Sequence, residues 1–290
     1  MRHALVFGGS GQIGQPLLVR LRREGWRVTA VSRELRADEP GLHWLHGDLG
    51  DCASLPSQVD AIFSCGPLDA FAQWYARCDL QCARVVAFGS TSLETKRESA
   101  DPAERELAMR LLRAETQVLD RANERGVAAT LLRPTLVYGA GRDATLTRIA
   151  QLALRWRYFP LPRRALGLRQ PVHVDDLARA AQACLHSPAS HGQVYALPGG
   201  ETLPYRDMVG RVLAVVKPRP RLVELPSPLF ALALAAARRS GRGGAAGLGD
   251  AAVQRMRTDL VFDIEPARRD LGYAPRMFRP TAAMFDPPPA

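Results

Sequence analysis

The 290-residue sequence has no CxxC pair, no apolar run long enough to cross a bilayer and almost no lysine. Each shortage removes a class of explanation. Cys52, Cys65, Cys78, Cys82 and Cys184 form an odd set without metal-ligand spacing, so neither a disulfide framework nor a zinc site is expected. Cys78 and Cys82 stand at the spacing of one helix face, with no His or Cys pair beside them. The longest apolar run, 229–237, falls well short of the ~20 residues of a spanning helix. It is expected to pack into the second half of the chain rather than lie on a membrane. The first strand falls within residues 1–10, so no secretory leader is expected and the location read is cytoplasmic.

Of 39 basic residues only Lys96 and Lys217 are lysines, and arginines scattered from Arg2 to Arg279 carry the formal net charge of +10. They lack the aromatic interleaving of an RNA-binding surface, so nucleic acid is not an expected partner. An acidic or phosphorylated small molecule fits the charge better.

What is present is an alternation of apolar runs and helical stretches. Residues 4–7, 27–31, 43–45, 61–63, 85–88 and 130–132 read as strands, and 15–24 as a helix with Leu17, Leu18 and Leu21 inward. A long helix over 104–125 turns Leu107, Leu111, Leu112, Val118 and Leu119 to one side, with Gly126 as its stop. Strands separated by helices predict an α/β fold, a doubly wound parallel sheet. After Gly139, repeated prolines break the chain into short pieces. Residues 240–249 read as a flexible loop and 286–290 as a disordered tail.

Gly8-Gly9-Ser10-Gly11-Gln12-Ile13-Gly14 follows the first strand and opens the first helix. In that setting the glycines allow a tight turn, and helix N–H groups face a diphosphate. The segment predicts a Rossmann-type dinucleotide site over residues 1–139. A smaller C-terminal substrate-binding subdomain follows over 140–290, with a segment near 171–186 returning to the first part. The second strand ends Val31-Ser32-Arg33, where an NAD site usually places a carboxylate. Arg33 and Arg36 therefore favour NADP(H), with NAD still possible.

The spacing Gly8-x-x-Gly11-x-x-Gly14 resembles that of extended short-chain dehydrogenases, the NAD-dependent epimerase/dehydratase family. Further landmarks stand in that family's order: Gly47-Asp48-Leu49, Val85–Ser92, Leu132-Arg133-Pro134 through Tyr138-Gly139, Pro171–Ala178 and Asp263–Pro275. The resemblance implies cofactor contacts at Gly8, Gly11, Gln12, Ile13, Gly14, Ser32, Arg33, Asp48, Leu49, Ser64, Cys65, Gly66, Arg133 and Pro134.

That family moves the substrate proton with a Tyr-x-x-x-Lys pair on a helix. Aligned on Glu115, this chain has Leu107 and Leu111 at those places, and none of its six tyrosines is followed four residues later by lysine. Neither leucine can carry a proton. Replacements to weigh are the hydroxyls of Ser90, Thr91 and Ser92, Tyr138 with Arg133 and Arg142 nearby in sequence, and His173; the plainer reading makes Tyr138 and His173 structural. Asp175 and Asp176 show no metal-site pattern, and at least one of them is expected to cap a helix N-terminus. Arg155, Arg157, Arg163, Arg164 and Arg169 either grip an acidic substrate or form a solvated face. The stretch 66–84 is short for the family's usual dimer helix, which leaves a monomer or a different dimer open.

Within the family the sequence resembles atypical members that lack the pair, such as the nucleotide-binding accessory subunit of respiratory complex I. Two functions follow as expectations. One is a nucleotide held for structure or sensing. The other is an NADP-dependent oxidoreductase or sugar-nucleotide epimerase/dehydratase-like enzyme with a rebuilt active site.

Overall fold

A computed structural model of the chain describes residues 1–51, 55–239 and 250–286. Cys52, the glycine-rich stretch 240–249 and the tail beyond Asp286 lie outside the described residues. The chain divides into two compact units. The first comprises Met1–Thr135, Val174–Leu197 and Asp263–Ala274; the second comprises Leu136–His173, Pro198–Phe262 and Pro275–Ala290.

The first unit is built on β1 (His3–Phe7), β2 (Arg27–Ser32), β3 (Leu42–His46), β4 (Ala61–Ser64), β5 (Arg84–Phe88), β6 (Ala128–Pro134) and an edge strand, Gln193–Leu197. Their order across the sheet is edge strand, β6, β5, β4, β1, β2, β3, with every pairing parallel. The expected doubly wound sheet is the one observed. Every residue of β1, β4 and β5 is buried. That is why these strands read as unbroken apolar runs instead of alternating ones.

Helices α1 (Gly14–Arg23), α2 (Leu68–Arg77), α3 (Ser92–Lys96) and α4 (Pro102–Glu124) belong to the same unit. Leu68, Phe71, Ala72 and Tyr75 form the buried stripe of α2, at the spacing of one helix face. Phe7, Phe71, Trp74 and Tyr75 make an aromatic cluster there, with centroids 4.5 Å apart for Phe7–Trp74. The Asp101 carboxylate accepts from Ala103 N at 2.9 Å and Pro102 occupies the first turn, so α4 starts earlier than the apolar periodicity suggested.

Three local expectations are corrected. The buried face of α4 is Ala108, Ala114, Glu115, Val118 and Ala122, while Leu107 and Leu112 are half-buried. Small residues face inward because α4 packs on α2. Cys78 and Cys82 share no helix face, since α2 ends at Arg77 and both lie in the following loop. Asp175 and Asp176 sit inside the first turn of helix Val174–Ala183 rather than at its cap, and fully buried Asp176 pairs with Arg179 at 2.5 Å.

The second unit has its own core, in which Tyr138, Leu146, Ile149, Leu161, Met208, Val212 and Phe278 are buried together. Despite its prolines it contains helices Leu146–Trp156 and Tyr205–Val215. Asp143 holds the start of the first, accepting from the amides of Thr145, Leu146 and Thr147. Strands Tyr158–Pro162 and Arg221–Leu225 pair in parallel, and helix Ser227–Arg239 follows.

Candidate functional site

In a parallel sheet all carboxyl ends point the same way. Chain order runs from β1 to β2 and β3 on one side and then jumps back to β4 on the other side of β1. This reversal is the place where open α/β sheets bind ligands. The glycine turn leaves β1 here. Gly8 has φ +72°, and a Cβ on it would stand 2.9 Å from Cys65 C and Gly66 N. A Cβ on Gly14 would stand 2.1 Å from Gly8 O. Both approaches are backbone on backbone, so only glycine fits. Gly11 N donates to Gly8 O at 2.9 Å, closing the turn. The first turn of α1 has no acidic residue, and no side chain caps its N–H groups. Gln15 N and Leu17 N are taken by Gly11 O and Ile13 O and Pro16 has no N–H, so an anion here would be met by the amides ahead of Gln15.

Beside the turn, Ser64 ends β4 and is fully buried; neither its Oγ nor Gln12 Oε1 has a hydrogen-bond partner among the described residues. Cys65 N donates to Phe7 O at 2.9 Å, and burial pushes its thiol up to about 12, so it is inert as a thiolate near neutrality. On the other flank, Ser32 Oγ accepts from Glu34 N at 3.1 Å and Arg33 is exposed. Gly47 N donates to Ser32 O, and Asp48 Oδ1 accepts from the amides of Gly50 and Asp51. Those amides, with a lesser contribution from Arg33, hold the Asp48 carboxyl below its usual range. Leu49 packs partly into the core of the first unit. Arg36 does not stand beside Arg33 in role: it pairs with Glu34 at 2.8 Å and lies over the Trp44 ring.

Across β4, strand β5 runs into Gly89, Ser90 and Thr91. Thr91 is buried, and its Oγ donates to Pro134 O at 3.1 Å, a carbonyl that also accepts from Thr91 N. Ser90 is half-buried, and its Oγ accepts from Ser92 N at 3.1 Å, which leaves its proton to donate. Beneath Gly89 lies a feature that pattern reading missed. Arg133 Nε donates to Glu115 Oε1 at 2.9 Å, its Nη2 makes a second, shorter bond to Glu115 Oε2, and Nη1 reaches Glu94 Oε1 at 2.9 Å. The Glu115 side chain is 4% exposed. A Cβ on Gly89 would stand 2.8 Å from Glu115 Oε1, so the glycine makes room for the ion pair. Hydrogen bonding to Glu115 raises the Arg133 pKa further, and the guanidinium stays charged.

The structure thus gathers Gly8, Gly11, Gln12, Ile13, Gly14, Ser32, Arg33, Asp48, Leu49, Ser64, Cys65, Gly66, Ser90, Thr91, Arg133 and Pro134 in the first unit, at or just beyond carboxyl strand ends. Tyr138 belongs to the second unit. It is fully buried, with His173 and Phe278 edge-on at 5.1 and 4.9 Å. A Cβ on Gly139 would touch His173 Nε2 at 2.5 Å, so the imidazole is packed on backbone. Arg169, read as a possible substrate grip, is buried, and Leu168 O, Thr258 O and Arg255 O accept from its guanidinium. Arg157 ends helix Leu146–Trp156 with φ +67°. Among the described residues no group of three His, Cys, Asp or Glu side chains is arranged to hold a metal ion.

Known proteins supply context for this geometry. The chain is 27% identical to the 2-alkyl-3-oxoalkanoate reductase of Stenotrophomonas maltophilia (strain K279a), over 94% of this chain and 94% of that one. The terminal R domain of the myxalamid PKS-NRPS pathway superposes with TM-score 0.74 at 18% identity, over 98% of this chain and 89% of that one. UDP-glucuronic acid 4-epimerase from Bacillus cereus, in complex with NAD, superposes with TM-score 0.68 at 13% identity, over 95% and 94%. These two likenesses establish the fold. A model of the NAD dependent epimerase/dehydratase family matches residues 4–93 and 81–197, most of the sheet described above. The chain belongs to the NAD dependent epimerase/dehydratase family.

Proposed function

We propose that the protein binds NADP(H) at the strand ends of its first unit and holds the nucleotide as a structural or sensory ligand. The observation that carries this reading is the glycine cradle, where Gly8 and Gly14 permit backbone approaches that any Cβ would block. Buried Ser64 Oγ and Gln12 Oε1 support it. Leaving such a group unpaired costs about 1–3 kcal/mol, which a hydrogen-bonding ligand offsets. The Gly8–Gly14 amides suit the diphosphate, Ser32 and Arg33 the ribose with its 2′-phosphate, and Asp48 and Leu49 the adenine side. Ser64, Cys65, Gly66, Arg133 and Pro134 suit the remainder. When bound, the nicotinamide supplies hydride chemistry. Leu107 and Leu111 on α4 argue against the family's usual proton transfer, because hydrocarbon neither donates nor accepts a proton. In this respect the chain is like the complex I accessory subunit it resembles.

Thermal denaturation with each nucleotide tests the proposal, since a ligand that binds only the folded state raises the melting temperature. NADPH is expected to stabilise more than NADH. Replacing Arg33 with glutamine should remove at least about tenfold of the NADPH preference, the size of one charge-assisted hydrogen bond. A flat response to all four nucleotide forms would sink the proposal.

A second reading, an NADP-dependent reductase or epimerase with a rebuilt site, is favoured by the half-buried Ser90 hydroxyl and supported by the full-length likeness to a reductase. Ser90 could orient a carbonyl oxygen, whereas Thr91 is committed to Pro134 O. Thr91→Val should therefore lower stability by about 1–3 kcal/mol and leave turnover of a 3-oxo acid panel intact. Ser90→Ala should do the reverse. Equal turnover in wild type and Ser90→Ala removes Ser90 from the chemistry.

A further inference from the structure

From Pro228 to Ala236 the chain carries no polar side chain. This stretch lies in helix Ser227–Arg239 of the second unit; among its described side chains only Phe230 and Leu234 are buried, in a small cluster with Leu225 and Val253. Leu229 and Leu232 are 53% and 68% exposed. At 100° per residue, Leu232 stands opposite the Phe230–Leu234 stripe, with Leu229 and Ala236 about 40–60° to one side of it. The expectation that the run would pack inward holds for one stripe alone. A helix that is apolar all round belongs in a core or against lipid, and this one turns most of its circumference outward.

The ends of the helix identify what covers it. Its backbone runs into Arg238 and Arg239. At its start the exposed Arg257 donates to Ser227 Oγ at 2.7 Å, and exposed Arg163 donates its amide to Leu225 O just before the helix. Cations therefore bracket an apolar face, on a chain of net charge +10. A second copy pairing here would set basic ends against basic ends. No helix among the described residues is long and apolar enough to cross a membrane, so this one would lie flat.

We propose that helix Ser227–Arg239 is a docking surface for an anionic lipid bilayer, with Leu229 and Leu232 entering the acyl boundary and the exposed Arg163 and Arg257 meeting headgroup phosphates. The inference does not depend on the nucleotide reading. Flotation of the full chain with phosphatidylcholine vesicles, and with vesicles containing about one-third phosphatidylglycerol, tests it. Wild type should partition to the anionic vesicles and be released by salt. Leu229→Gln/Leu232→Gln should lower partitioning about tenfold at an unchanged melting temperature, because both side chains are already in water. Arg163→Gln and Arg257→Gln should each lower it about fivefold. Three results overturn the proposal: no partitioning of wild type, equal partitioning of the leucine variant, or a wild-type dimer that the leucine variant converts to monomer without vesicle binding in either protein.

Discussion

Gly14→Ala will abolish measurable dinucleotide binding while most of the sheet remains folded. The added methyl would meet Gly8 O at 2.1 Å, Gly9 Cα at 2.6 Å and Gly9 C at 2.8 Å. All three are backbone, so no side chain can swing away. The turn must open, and Gly8, already at positive φ and pressed on the Cys65–Gly66 backbone, must move with it. Overpacking of this kind costs about 1–3 kcal/mol of stability. The loss in binding is larger. Displacing two main-chain amides from a diphosphate removes two charge-assisted hydrogen bonds of about 1.5–3 kcal/mol each, a hundredfold or more in affinity. Titration calorimetry with NADPH, beside a denaturation curve, separates the two effects. Gly210→Ala serves as the control, because its methyl meets nothing within 4 Å and it lies in helix Tyr205–Val215, outside the proposed nucleotide contacts. Wild-type affinity in Gly14→Ala would mean that the diphosphate does not sit on this turn.

Glu115→Ala is expected to be the most destabilising single change in the first unit, at about 3–5 kcal/mol. The carboxylate is buried and takes two hydrogen bonds from Arg133, so its removal strands a half-buried guanidinium with exposed Glu94 as its remaining carboxylate. The Arg133–Glu94 contact alone contributes about 0–1 kcal/mol, because Glu94 is half in water. The double variant Glu115→Leu/Arg133→Met should recover much of the loss, since well-packed apolar residues often replace a buried pair at little cost. Gly89→Ala should couple to the same site: its methyl would press on Glu115 Oε1 in wild type and keep only ordinary contacts with Leu68 and Arg133 in Glu115→Ala. A double-mutant cycle in urea measures that coupling. Additive effects at Gly89 and Glu115, or a wild-type midpoint for Glu115→Ala, would show that the pair does not hold α4 to the end of β6.

Some of this was legible from residue order alone. Consecutive apolar residues in β1, β4 and β5 announce strands covered on both faces, and the glycines after β1 announce a turn that tolerates no Cβ. Both are local statements, since burial on two faces and positive φ leave their mark within a few residues. The class of fold and the place of the candidate cradle follow from them.

Other features came only from the tertiary structure. The edge strand Gln193–Leu197 pairs with β6 across more than sixty positions, and its residues are a mixture of buried, half-buried and exposed. Nothing within five residues identifies so distant a partner. Arg169, open between a substrate grip and a solvated face, is neither, because chain from Arg255 to Thr258 brings carbonyls to its buried guanidinium. Sequence alone assigned Glu115 no partner, and Arg133, on β6, meets it under Gly89. Leu107 and Leu112 gave way to alanines on the inner face of α4 because α2 lies against it. Periodicity records which residues avoid water. Which partner neutralises a charge, accepts a proton or leaves space for a small side chain is decided by segments far apart in the chain, and their meeting is the work of the fold.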